Sequence, residues 1–187
     1  MIVISEFIIR CKFWINADRI GPDMPLTYWM LFYKSSMNSL CQNKFKLFGS
    51  NSEFRPGSYA ETCSKISIGS NVVIRPGSFL FADPSSNGGG IIIEDKVLIG
   101  SGVHIYTNNH SFADTCVPIF DQGYPPSTEN DSVHLLIGCW IGAGSIILPG
   151  VTVGRNSVIG AGSVVTKSIP DFVVAVGNPA KVTRSLI

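Results

Sequence analysis

Three histidines, His104, His110 and His134, are the side chains of this sequence best suited to move a proton near neutral pH. Free imidazole has a pKa of about 6.5, so a small shift makes it a general base at pH 7. Three histidines are also enough to hold a catalytic zinc. His104 and His110 are six residues apart. Six extended residues reach up to about 20 Å, so the two meet only if the chain brings them together from elsewhere. After His110 come 24 residues, Ser111 to His134, that contain Asp114, Asp121, Gly123 and Pro125-Pro126. Unstructured loops of that length inside a compact domain are functional or disordered, and this one leaves directly from a histidine. Asp83, Asp114 and Asp121 are the acids available to orient that imidazole. From the residues alone, His110 is either a general base or a solvent-facing side chain at a chain corner.

The scaffold for these residues is a repeat. From Leu135 onward every sixth residue is aliphatic: Leu135, Ile141, Ile147, Val153, Ile159 and Val165. The fifth place of each block is small or apolar: Cys139, Ser145, Val151, Ser157, Ser163 and Ile169. Upstream, Ile68, Ile74 and Leu80 keep the same step, and so do Ile93, Ile99 and Ile105, with fifth places Val72, Ser78, Val97 and Val103 again small and Asn109 the exception. A helix has a period of about 3.6 and a strand a period of 2. A six-residue step puts each aliphatic on one side of a short strand, and three strands with three corners close a triangular coil. Stacked coils bury one continuous aliphatic column that no coil could bury alone. Gly and Asn adopt the corner angles at least cost, and Gly154–Asn156 and Gly160–Gly162 suit such corners. The pattern breaks near Ala82–Ile92 and at Ser111–His134.

Residues 1–48 do not follow the repeat and read as a partly helical extension, with 49–187 as the coiled domain and 111–134 as its protruding loop. Leu26 to Leu40, with Thr27 or Pro25 near its start, reads as a short amphipathic helix rich in aromatics. It is either a plug over the open end of the coil, which otherwise exposes strand edges, or a cap on an acceptor or membrane surface. Arg55-Pro56-Gly57 and Arg75-Pro76-Gly77 are paired turn signals twenty residues apart. Asp83–Gly90 (DPSSNGGG) is a loop by composition.

Composition narrows the function. The net charge of +1, with no basic stripe, gives no footprint for nucleic acid. Five scattered cysteines without CxxC spacing read as reduced, intracellular thiols, with Cys139 a small core residue. No apolar run reaches about 18 residues, so no transmembrane helix is expected. The start MIVISEFIIR lacks the basic region and cleavage site of a signal peptide, so a cytoplasmic protein is expected.

The six-residue period, with the tail IGAGSVVTKSIP followed by GNPAKVTR, resembles the hexapeptide-repeat acyltransferases over Ser67 to Arg184. The closest likeness is to sugar O-acetyltransferases of the maltose, galactoside and nodulation-factor kind, and to polysaccharide-biosynthesis acetyltransferases. The resemblance implies an all-β fold, a left-handed parallel β-helix of hexapeptide repeats. It implies a homotrimer with active sites between subunits, and an arm at His110 that projects across a neighbour. It implies acetyl-CoA as cosubstrate, no metal, and a sugar hydroxyl as acceptor, in surface-polysaccharide synthesis.

Residue by residue, His110 in TNNHSF matches the family's general base. Ala143 and Ala161 match the backbone contacts to the pantetheine arm. Thr166 and Lys167 follow in the VTK motif. Lys181 and Arg184 meet the nucleotide phosphates, with Lys181 replacing the Arg usual in galactoside enzymes, so the charge stays and the bidentate fork is lost. Trp140 either packs on the cofactor arm or is exposed scaffold. Asp83 and Asn108 are the implied acceptor contacts. Backbone N–H groups of Gly144 or Ser145 are candidates for the oxyanion donor. The alternatives are an N-acetyltransferase on a nucleotide-linked amino sugar, a γ-carbonic-anhydrase-like zinc enzyme, and a non-catalytic trimeric scaffold.

Overall fold

The computed structural model describes residues 2–187, with side chains from residue 4 onward. From Leu47 the chain winds as a parallel β-helix. A first-face strand (Leu47–Phe48), a second-face strand (Glu53–Phe54) and a third-face strand (Tyr59–Glu61) make the first coil. The same order repeats through Ile66–Ile68, Val73–Ile74 and Phe79–Phe81, then Ile91–Ile93, Leu98–Ile99 and His104–Tyr106. Each face stacks its strands parallel and in register, for example Ile68 on Ile93 and Ile105 on Ile147.

The expected column is the core. Ile68, Ile74, Leu80, Ile105, Leu135, Ile141, Ile147, Val153, Ile159 and Val165 are fully buried. Each contributes on the order of 1.5–3 kcal/mol of burial. The fifth places explain their own chemistry. At three of the serines that hold them, the hydroxyl donates to a corner carbonyl of the next coil: Ser58 to Arg75 at 3.0 Å, Ser78 to Gly100 at 3.0 Å, Ser145 to Gly160 at 3.1 Å. Cys139 is buried there too, and burial pushes its thiol up to about 12. The corners demand left-handed backbone: Asn156 has φ 49° and Gly162 φ 70°. At Gly100 the coils touch, since a Cβ there would lie 2.6 Å from the Ala143 nitrogen.

The coil begins one turn earlier than the aliphatic pattern shows. Phe48, Phe54 and Ala60 continue the step of six and are buried. Phe45 stacks on Phe48 at 5.9 Å and meets Phe54 edge-on at 5.4 Å. Met37, Leu40 and Cys41 join the same cluster, so the helix Lys34–Lys44 plugs the open end.

All-β holds only roughly: parallel sheet dominates, but about 23% of the chain is helical, most of it before Leu47. The helices Ile2–Asn16, Pro25–Tyr28 and Lys34–Lys44 precede the coil. The expected single helix over Leu26–Leu40 is broken at Tyr33, which is extended (φ −124°). The physical reason is the spacing of Met37, Leu40 and Cys41, at helical steps of three and four, which buries one face against the coil. No described helix is long and apolar enough to cross a membrane.

The long excursion returns to the coil at Val133. His134 belongs to the strand Val133–Leu135 and pairs with Ile92. The excursion itself is folded, with a short helix at Ile119–Gln122 and a capped turn at Glu129–Asp131.

Candidate active site

His110 lies just past the third-face strand His104–Tyr106, where the chain leaves the corner between the third and first faces. A cavity of about 930 Å³ opens there, lined by Asp83, Asn108 and His110, with Phe81, Tyr106, Tyr124 and Ser127 as further walls. The three residues expected to meet the acceptor therefore face one space. The outer face of the sheet supplies its aromatic wall: Phe81 stacks on Tyr106 with centroids 5.2 Å apart and planes 2° from parallel.

His110 is exposed and stacks against Tyr124, with ring centroids 4.4 Å apart. The loop closes on itself to make that contact. The Ser111 N–H donates to Gly123 O at 2.9 Å, and Gln122 Nε2 donates to the carbonyls of Asp114 at 2.8 Å and Val117 at 2.7 Å. Among the described residues no carboxylate bonds His110. Asp114 instead accepts the Cys116 N–H at 2.9 Å.

Asp83 is only 2% exposed, and its loop is tied down rather than being a loose linker. Its N–H donates to Thr107 Oγ1 at 2.9 Å, and Thr107 donates on to Gly89 O at 2.8 Å. Lys65 Nζ donates to the carbonyls of Ser85 and Gly88, clamping the loop from below. Asp83 Oδ1 accepts the Ser85 N–H at 2.8 Å, while the buried Oδ2 has no complete hydrogen bond. Burial pushes this carboxyl up, but the nearby Ser127 hydroxyl, the N–H and hydroxyl of Ser85, and Lys65 outweigh it and hold the pKa below its ordinary value. Asp83 is thus a buried anion in the wall of the cavity, with one oxygen that has no hydrogen bond among the described residues.

The residues expected to hold a cofactor fall on two different corners. Trp140 sits on the second-face strand Trp140–Ile141 and is half exposed; Ala143 follows at the corner between second and third faces. Ala161 holds the equivalent corner one coil on, after Val158–Ile159. There the carbonyls of Ser101 and Ala143 accept N–H groups of Gly144 and Gly162, at 2.9 Å and 2.8 Å. The N–H groups of Ala143 and Ala161 themselves donate to no acceptor among the described residues. They form a column of free donors along an exposed corner. Lys181 and Arg184 lie exposed on the last strand, Ala180–Ser185, which folds back beside Val173–Gly177 on the second face. Thr166 and Lys167, however, follow the third-face strand Val164–Val165, on the corner that carries His110.

Both candidate oxyanion donors are already committed, the Gly144 N–H to Ser101 O and the Ser145 N–H to Gly142 O at 3.3 Å. The free Ala143 N–H is the available backbone donor on that corner. His104 bonds the Tyr106 hydroxyl through Nδ1 at 2.9 Å. No described group of three or more His, Cys, Asp or Glu converges as a metal site would require. Tyr124, Thr107, Phe81 and Tyr106 were not foreseen. Thr107 and the two aromatics occupy places around the third-face strands that the spacing locates without ranking, and Tyr124 sits where no period holds.

A family model of the bacterial transferase hexapeptide (six repeats) matches residues 133–167. The galactoside O-acetyltransferase of Lactococcus lactis is 36% identical over 151 residues, covering 74% of this chain and 73% of that protein. A maltose O-acetyltransferase structure from Clostridium difficile aligns with a TM-score of 0.71 at 28% identity, covering 87% of this chain and 83% of that one. A galactoside acetyltransferase solved in complex with coenzyme A aligns with a TM-score of 0.66 at 29% identity, covering 87% and 78%. The chain belongs to the hexapeptide-repeat acetyltransferase family, a class of acyl-transfer enzymes.

Proposed function

We propose that this protein is an acetyl-CoA-dependent O-acetyltransferase that acetylates a sugar hydroxyl, with His110 as general base, in sites shared between neighbouring subunits of a homotrimer. The observation that carries this reading is the cavity where an imidazole, the anionic Asp83 and the Asn108 amide face one space of about 930 Å³ with an aromatic wall. Such a wall suits the apolar face of a sugar ring, and the carboxylate and amide suit its hydroxyls. The relatives named for galactoside and maltose O-acetylation support the same acceptor class. The coil takes the left-handed sense of this family's fold. A cytoplasmic place in surface-polysaccharide synthesis completes the reading.

The acceptor oxygen attacks the thioester carbonyl carbon as its proton passes to the imidazole of His110. The carbonyl oxygen takes the negative charge, and the free Ala143 N–H is the donor placed to meet it. The tetrahedral centre then collapses, the carbon–sulfur bond breaks, and the imidazolium returns the proton to the thiolate. An acetyl ester and a free thiol leave. Proximity of two bound reactants supplies much of the rate, so no acyl-enzyme is needed.

The two-corner arrangement supports the shared site. Ala143, Ala161 and Lys181 lie on or beside one corner, while His110, Thr166 and Lys167 lie on another, a whole third-face strand away. Two coils side by side bring one such corner from each chain around a single cofactor. The exposed arm tip, where Phe120 is 92% and Phe112 73% exposed, supplies apolar surface for a neighbour.

The test is calorimetric titration with acetyl-CoA, followed by thiol-release assays against a panel of hydroxyl and amino sugars. Acetyl-CoA is expected to bind, and His110→Ala to lower transfer by about two orders of magnitude or more with that binding intact. Turnover that survives the substitution removes His110 as base. Preference for an amine shifts the reading to N-acetylation, and absence of acetyl-CoA binding ends it.

A further inference from the structure

A second cavity, about 370 Å³, continues the line of Trp140 and Ala143 toward the plugged end of the coil, and Arg55 and Arg75 form its far wall. The two arginines hold equivalent places on adjacent coils. Glu53 pairs with Val73 and Phe54 with Ile74, and an arginine follows in each case. Strands on one face are spaced about 4.8 Å, so the two guanidinium groups are rooted side by side. Arg55 Nε donates to Glu53 Oε2 at 2.8 Å, which leaves both its terminal nitrogens for another acceptor. Arg75 makes no ion pair or side-chain hydrogen bond among the described residues. Of the two cations only Arg55 is paired with a carboxylate, and the rest of the wall is mostly apolar, with Val73, Leu98 and Trp140 beside Ser101.

We propose that Arg75, assisted by Arg55, selects an acceptor that carries an anionic group, a sugar carboxylate or a sugar phosphate. The inference rests on the acyl-transfer reading and its shared site, and names the acceptor class. A guanidinium takes either anion through two parallel N–H···O bonds.

The phosphates of the cofactor are poorly placed to be this anion. Along the second face the strands run in register through Val73, Leu98, Trp140, Val158 and Val174. Lys181 pairs with Val176 at the far end of that series. Four steps of about 4.8 Å put the arginines some 19 Å from the strand beside Lys181. An arm that starts at Lys181 and passes Ala161 and Ala143 meets the arginines only beyond its reactive end. For coils packed side by side, equal coils stand at equal height. His110 follows the strand His104–Tyr106, in the coil of Ser101; Asp83 follows Phe79–Phe81, in the coil of Arg75. The base therefore stands one coil beyond Ala143, the last free donor of the cofactor column. In that packing Arg75 of one chain and Asp83 of its neighbour share a level one coil further, on the acceptor's side.

The test uses the full chain in separate titrations. Acetyl-CoA alone reads the acyl-transfer proposal. Protein loaded with coenzyme A is then titrated with methyl glucuronide, glucose 6-phosphate and methyl glucoside. One of the two anionic sugars is expected to bind about tenfold or more tightly than the neutral one, and the tighter of the two tells carboxylate from phosphate. Arg75→Ala abolishes the preference, and Arg75→Lys, which keeps charge without the fork, restores part of it. Acetyl-CoA affinity and oligomeric state stay unchanged in both variants. Equal binding of the three sugars, no binding of any, or a preference that survives Arg75→Ala overturns the proposal. So does loss of assembly or of cofactor affinity in Arg75→Ala, which makes the residue structural. If the wild-type chain does not bind acetyl-CoA, the acyl-transfer reading falls separately, and the same three sugars on unloaded protein still decide the anion preference.

Discussion

The ring of Tyr124 lies against the imidazole of His110, with centroids 4.4 Å apart and planes inclined by 27°. No described carboxylate reaches that imidazole, so this contact and the loop closure behind it are what orient the ring. An aromatic pair is worth about 0.5–1.5 kcal/mol, a factor of roughly two to ten in rate if spent on orientation. Tyr124→Ala is expected to lower kcat by that factor while KM for acetyl-CoA holds, and Tyr124→Phe, which keeps the ring, to restore it. A pH–rate profile distinguishes positioning from collapse of the loop: the acid limb of Tyr124→Ala moves if the environment of His110 changes. Wild-type kcat and profile in Tyr124→Ala would remove the residue from the site.

Asp83 makes the fold sensitive to acid in a definite direction. Its carboxyl is held below the ordinary 3.8, so the folded state favours the anion more than the unfolded chain does. That contribution is complete above the ordinary carboxylate range and is lost as the pH falls through the lower folded value. Asp83→Asn has no such charge to lose. Thermal midpoints measured between about pH 6 and pH 3 are expected to fall more steeply for the wild type at the acid end. Parallel curves for the two proteins would contradict the assignment.

What could be read before folding was whatever the six-residue step controls. Ile68, Ile99, Leu135 and Val165 are in the core because a strand-and-corner period fixes which side each faces. The first coil was harder to read because Phe48, Phe54 and Ala60 keep the step but vary in size, two rings and a methyl. The helix Ile2–Asn16 is apolar on most sides, with Phe7, Ile9 and Ile15 more than half exposed, so it carries no amphipathic period to find. At the site, the motifs marked His110 and Ala143, but their partners follow no rule of spacing. Tyr124 reaches His110 across thirteen intervening residues that follow no repeat, and Thr107 reaches Asp83 because two coils stack. That Thr166 and Ala143 sit on different corners follows from counting strands.

The plug can be tested on stability alone. Phe54 is fully buried between Phe45 and the first coil, at the junction of helix and coil. Phe54→Ala removes a ring from a space the main chain cannot close, and a loss of about 3–5 kcal/mol is expected in urea unfolding. Leu47, one position before Phe48 and 56% exposed, is the control. Leu47→Ala should change stability by no more than about 0.5 kcal/mol. Similar losses at the two positions would mean that the helix Lys34–Lys44 does not seal the coil as a unit.

A shared site has a consequence that a self-contained one lacks. Ala143→Glu puts a carboxylate on the exposed corner where the cofactor arm passes, and His110→Ala removes the base on the other corner; each alone should be inactive. Both positions are exposed, so neither change asks the core to rearrange. If each site takes one corner from each of two chains, trimers that contain both variants hold sites in which an intact Ala143 corner faces an intact His110 corner. Co-refolding the two inactive proteins in equal amounts should then recover a measurable fraction of wild-type thiol release, while each protein refolded alone recovers none. If both corners belonged to a site within one chain, every chain in the mixture would carry one defect and no mixing ratio would restore activity. A flat response across mixing ratios, with mixed trimers demonstrated by a tag on one variant, would therefore rule out the shared site while leaving His110 as a candidate base.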